Sequence, residues 1–206
     1  MTFEPTGPTD VVRTTAPNPP PPVVTSEFIG DLEYKNEYPT DATVDKLFDQ
    51  LDFQRGCQAF LRNIMASSMY SFREGLRRDL GVTSASQLVV WEGQFDARSL
   101  LLTPNSETVY GMTYLDLKVD GPTVVEVAPG ILGLVNDMWM RETVNVGAAG
   151  PDQGRGGRFL FLPPGYDGEI PPYGFHICPS ETYGLWLLLR GMRTPDGSST
   201  DAVALQ

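Results

Sequence analysis

Hydrophobic positions follow two regimes along the chain, and the change comes near residue 87. Between residues 40 and 80 apolar side chains recur at spacings of three and four. Val44, Leu47, Phe48 and Leu51 share one helical face, and Phe53, Cys57, Phe60, Leu61 and Ile64 form a second stripe. Tyr70, Leu76 and Leu80 continue the pattern to Gly81, which suits a C-terminal cap. Thr40 is a good N-cap, and Asp41 stands in the first turn, where the helix dipole favours a carboxylate. Gly56 is a weak point, so the stretch predicts two or three helices.

Beyond residue 87 the apolar runs shorten and become rich in β-branched and aromatic residues. "QLVVWEG", "QFDARSLLL", "TVYGMTYLDLKV", "PTVVEVAPG", "LGLVNDMWMRETVNVG", "GRFLFLPPGYDGEIPPYGFHICPS" and "YGLWLLLRGM" each read as strand-forming. In the third run Tyr110, Met112, Tyr114 and Asp116 face one way, and Val109, Thr113, Leu115 and Leu117 the other. Turn signals recur roughly every ten residues, and no helix-length segment separates the strands, which disfavours a parallel βαβ sheet. The predicted fold is mainly β with an N-terminal helical segment: an antiparallel β-sandwich. Residues 1–30 read as a disordered Pro-rich tail with four consecutive prolines, 31–193 as a single helix-capped β-sandwich domain, and 194–206 as a polar tail.

Composition narrows the function classes. The net charge of −11 disfavours nucleic acid and anionic membrane surfaces, which need clustered Lys and Arg. A cationic or neutral partner fits better. No apolar run is long enough for a transmembrane helix. The N-terminus has neither a basic start nor an apolar core, so no signal peptide is expected and the default compartment is the cytoplasm. Cys57 and Cys178 are expected as two buried free thiols rather than a bridge.

The single histidine, His176, argues against a zinc site and reads as a half-buried strand residue; no metal and no cofactor are expected. A Ser-His-Asp triad lacks its Gly-x-Ser-x-Gly elbow. "GPDQGRGGRF" looks like a phosphate cradle but lacks Gly-Lys-Ser/Thr and runs into a strand, so it reads as a Gly-rich connection. Arg155 and Arg158 could still hold an anion there. Two carboxylate pairs, Asp137 with Glu142 and Glu107 with Asp116, are the candidates for acid–base chemistry on a sugar.

Two stretches carry the binding candidates. In "NDMWMRETVN", read as one strand, Met138, Met140 and Glu142 alternate with Asp137, Trp139, Arg141 and Thr143. An aromatic, a guanidinium and an acid on one face suit a small-molecule or glycan surface. The alternative is that Trp139 packs in the core and Arg141 pairs with Asp137. In "LLTPNSETVYGMTYLDL", Pro104 and Asn105 start a turn, and the polar set Glu107, Thr108 and Tyr110 is expected to border a pocket.

Four ordered blocks, "TPNSETVYGMTYLDL", "GPTVVEVAPG", "GPDQGRGGRFLFLPPGYDGEIP" and "SETYGLWLLLRG", resemble the family called domain of unknown function 1254. "TVDKLFDQLDFQRGCQAFL" is similar to the helical lead-in of that family, so the resemblance spans roughly residues 35–193. It implies a two-domain β-sandwich protein of jelly-roll type, whose second domain, of unknown function 1214, would follow this chain. Many relatives look exported. Ser106 and Glu107 depart from the usual pattern, as does Glu181.

The expected function is a ligand-binding module of jelly-roll type for a small polar molecule or glycan, using Asn105, Glu107, Thr108, Tyr110, Trp139, Arg141 and Glu142. The alternatives are a metal-free hydrolase or lyase using carboxylates and an arginine, and a structural or assembly domain. The protein partner would be a second copy of the chain or a C-terminal domain.

Overall fold

The computed structural model describes residues 21–95, 98 and 104–206. Residues 1–20 of the expected tail and most of the "QFDARSLLL" strand lie outside them. The chain divides into two compact units, Met1–Leu61 and Arg62–Gln206. Most of the described elements are strands in antiparallel pairs, accompanied by one long helix towards the N-terminus.

In the first unit, β1 (Val23–Ser26), β2 (Gly30–Lys35) and β3 (Tyr38–Pro39) form an antiparallel sheet in that order. Residues 23–26 and 30, expected in the tail, are therefore strand residues. The two-residue turn between β2 and β3 places Asn36 and Glu37 at φ of 51° and 71°, the left-handed values that a tight hairpin needs. A 40-residue helix, α1 (Asp41–Leu80), follows. Thr40 caps it as expected, its Oγ1 accepting from the Thr43 N–H at 3.3 Å. Thr43, only 2% exposed, pins the helix start to β2: its hydroxyl accepts from Glu33 N at 2.7 Å and donates to Glu33 O at 3.0 Å.

The helix corrects the expectation of two or three. Glycine in a helix interior costs about 1 kcal/mol relative to alanine without ending it, and no proline occurs between Pro39 and Pro104. Phe48, Phe53, Phe60 and Leu61 are all well exposed, as is Cys57, against the expected burial of both thiols. Cys178 is buried and also free. Burial pushes its thiol up to about 11, so it is held as the protonated thiol at neutral pH.

In the second unit a five-stranded antiparallel sheet carries β4 (Val89–Trp91), β5 (Thr108–Asp116), β11 (Gly184–Met192), β7 (Leu132–Asp137) and β8 (Glu142–Val146) in that spatial order. A smaller sheet orders β10 (His176–Pro179), β9 (Gly157–Leu162) and β6 (Thr123–Val127). Here β10 runs parallel to β9, where an antiparallel pair was expected. Residues 163–175 join them, long enough to carry the chain back to the same end of the sheet.

The alternation along β5 is real, and both of its faces are buried. Leu115 and Leu117 enter a core shared by the two sheets, with Leu185, Leu187 and Val135 from one and Phe159, Phe161, Val127 and Cys178 from the other. Tyr110, Met112 and Tyr114 face the opposite way, where Trp186 and the Met69 and Phe72 side chains of α1 cover them. Gly81, at φ 73°, ends the helix as expected. The last residues are not a plain tail: α2 (Thr200–Ala204) buries Ala202 against β11. A Cβ at Gly191 would stand 2.8 Å from the Ala202 carbonyl oxygen, so that approach requires glycine.

Candidate functional site

The 105–110 corner is built as a cap. Asn105 Oδ1 accepts from Glu107 N at 3.0 Å, Thr108 N at 3.0 Å and Thr108 Oγ1 at 2.9 Å. The Tyr110 hydroxyl accepts from Asn105 N at 3.0 Å, and its ring is buried beneath Phe95. Asn105, Thr108 and Tyr110 thus serve one another, while Glu107 is exposed.

The second candidate group sits on a hairpin, not on one strand. β7 ends at Asp137 and β8 starts at Glu142, so 138–141 is the turn, with Met140 at φ 61°. Asp137, 4% exposed, organises it. Its Oδ1 accepts from Trp139 N at 2.8 Å and Arg141 N at 2.9 Å, and its Oδ2 from Arg141 Nε at 2.7 Å. Arg141 reaches on to Glu181 at 3.1 Å, and the Asp137 hydrogen bond is the largest cause of the raised pKa of its guanidinium. Trp139 is 46% exposed, so it is not a core residue. The Arg141–Asp137 pairing is therefore present, and Glu142 lies exposed at the start of β8.

These two groups do not share a pocket. Thr108 pairs with Met192 at one end of β11, and Asp137 pairs with Leu185 at the other. At about 3.3 Å per residue the separation along the strand is roughly 23 Å. The same geometry parts Glu107, just before β5, from Asp116 at its far end. Asp137 has both oxygens engaged by its own turn.

The glycine-rich segment is a closed turn around a buried carboxylate. Asp152, 2% exposed, accepts from Gly147 N at 2.8 Å and from Gly156 N at 3.2 Å. Arg158 stacks over Phe175 at 4.9 Å. His176 is half-buried on β10, its ring 4.8 Å from that of Phe159. Among the described residues no three His, Cys, Asp or Glu side chains cluster as metal ligands.

A cleft of about 330 Å³ in the second unit brings together residues that no sequence pattern connects. The last turns of α1 give one wall, Arg73, Leu76 and Arg77; residues 82–85 give the rim; Tyr114 and Asp116 of β5, with Val119 and Asp120 beyond it, give the opposite side. Arg73 and Arg77 stand four residues apart, hence on one helical face. Both lean on Glu74, at 3.6 and 3.2 Å. Arg73 also lies over the Tyr70 ring at 5.3 Å, and its Nε is buried without a hydrogen-bond partner. The Tyr114 hydroxyl donates to the Met69 carbonyl at 3.2 Å. Burial raises its pKa well above the ordinary phenol value, against a smaller opposing pull from Arg73, so it stays a neutral hydroxyl. Two arginines and two aspartates therefore line one partly apolar cleft. "FREGLRRDLG" shows the arginine pair, but only the fold brings it to Tyr114 and Asp116.

Comparison with known proteins gives a family and a fold. The family model described as Protein of unknown function (DUF1254) matches residues 85–206, more than half of the chain. The helical lead-in is outside that span. No curated protein matches. The crystal structure of the VPA0106 protein from Vibrio parahaemolyticus is similar in fold, with a TM-score of 0.53 at 18% identity. The match covers 71% of this chain and 34% of that one, so the chain spans about a third of the length of the solved protein. No described helix is long and apolar enough to cross a membrane.

Proposed function

The chain belongs to the DUF1254 family of proteins of unknown function, and from that premise we propose that it is a small-molecule binding module whose site is the Arg73–Arg77 cleft. The observation that carries this reading is a concavity lined by two arginines one helical turn apart, Arg73 and Arg77, together with Tyr114. A guanidinium presents several N–H donors in a planar fork, which suits an oxyanion. The volume is at the small end of ligand sites, which favours a compact polar molecule over a long glycan. The core common to both sheets supports a sandwich as the frame, which is the part of a jelly-roll reading that the packing favours. Trp139 and Arg141 of the hairpin, and the Asn105 corner, stand outside this cleft.

The test is a thermal-shift panel of small carboxylates, phosphate esters and monosaccharides on the intact chain. At least one carboxylate or phosphate ester should raise Tm, because a ligand at about 100 Kd adds roughly 2.7 kcal/mol to stability. The shift should vanish in the Arg73→Ala/Arg77→Ala double variant. A panel without any binder, or a shift that survives the double variant, contradicts the proposal.

A further inference from the structure

Resting on the cleft as the binding site, we infer that its ligand is zwitterionic: a compact molecule with a carboxylate at one end and an ammonium at the other. Three observations converge. The cleft is lined by charges of both signs, Arg73 and Arg77 on the helix wall against Asp116 and Asp120 on the strand wall. A simple anion would satisfy the guanidiniums and lie beside two carboxylates. A simple cation would do the reverse. A molecule with both charges meets complementary groups on each wall, and each contact is a charge-assisted hydrogen bond.

The second observation is the counter-ion already present. Glu74 lies 3.2 Å from Arg77 and 3.6 Å from Arg73, so the arginine wall is partly neutralised before any ligand arrives. That weakens the pull on a bare anion and leaves a larger share of the discrimination to the acidic wall. Asp116 Oδ1 accepts from Lys118 N at 3.1 Å, which fixes its carboxylate at the turn. The third is the field of the whole chain. At a net charge of −11 it repels approaching anions over a Debye length, whereas a molecule of zero net charge is not opposed. Leu76, Val82, Ala85 and Val119 supply apolar contact for a short hydrocarbon spacer between the two charges.

The experiment is isothermal titration of the intact chain with glycine, β-alanine, γ-aminobutyrate and 5-aminovalerate. Each is matched against the carboxylate lacking the amine and the amine lacking the carboxylate. One member of the series should bind at least tenfold more tightly than both of its matched controls. In the Asp116→Asn/Asp120→Asn variant that preference should fall to less than threefold while the carboxylate control binds as before or better. The first of these substitutions keeps a side-chain oxygen to accept from Lys118 N, so the turn is retained. A carboxylate control that binds as tightly as its zwitterion overturns the inference and leaves the binding module standing. Absence of binding by all the carboxylates and amino acids overturns the inference, and the phosphate esters of the thermal panel then decide the module by themselves.

Discussion

Asp152→Ala should cost about 3 kcal/mol of stability, although the residue lies outside the candidate cleft. Its two oxygens accept from Gly147 N and Gly156 N in a site that water barely reaches. Each buried N–H left without an acceptor costs about 1–3 kcal/mol. The loss should appear as a lower urea midpoint with unchanged slope. Asp152→Asn should recover about half of it, since its Oδ1 still serves one N–H while its amide nitrogen confronts the other donor. A cost below about 1 kcal/mol for the alanine variant would mean that the turn finds other acceptors and that Asp152 does not organise it.

Phe161→Ala should be larger, about 3–5 kcal/mol, as for a large aromatic removed from a packed core. Phe161 is fully buried and belongs to the smaller sheet, yet it shares its core with Leu115, Val135 and Leu187 of the larger one. The substitution therefore probes the packing of sheet on sheet. Urea unfolding should show the loss as a single transition. A cost near that of an exposed aromatic, below about 1 kcal/mol, would mean that the two sheets do not depend on each other for burial.

Local patterning is readable wherever a segment's period decides its structure. The Thr40 and Gly81 caps, the helical stripes between them and the alternation of β5 all follow from neighbouring side chains alone. The length of α1 is not, because Gly56 resembles the boundary that Gly81 is, while a glycine inside a helix costs only about 1 kcal/mol and does not by itself end it. The 138–141 turn is hidden for a related reason. Met138, Trp139 and Met140 carry no turn residue to mark it, and the bend depends on Asp137 bonding its own backbone two and four residues on. β1 lies beside a run of prolines that suggests a tail, and its pairing with β2 is what makes it a strand. The parallel β9–β10 pair is not local at all: it depends on how residues 163–175 return.

The candidate site is legible in the sequence only in pieces. Asn105, Thr108 and Tyr110 do form one polar unit, but their hydrogen bonds close on each other. Trp139 and Arg141 share a face only if the segment is one strand, and the hairpin and the register of β11 remove that group from the first. The cleft joins side chains about forty residues apart, Arg73 to Tyr114, and no spacing rule links a helix end to a strand of that separation. Basic residues near a helix C-terminus also have an ordinary explanation in the helix dipole, which masks them as site residues.

The most direct measurement of where this protein binds is amide chemical-shift mapping of the isotopically labelled intact chain during titration with γ-aminobutyrate and acetate. The expected result is a contiguous set of shifts at Arg73, Arg77, residues 82–85, Asp116 and Asp120, saturating together. Shifts centred on residues 105–110 or 138–142 would contradict the cleft as the binding site; no shift with either ligand would contradict the zwitterion and leave the cleft to the phosphate esters.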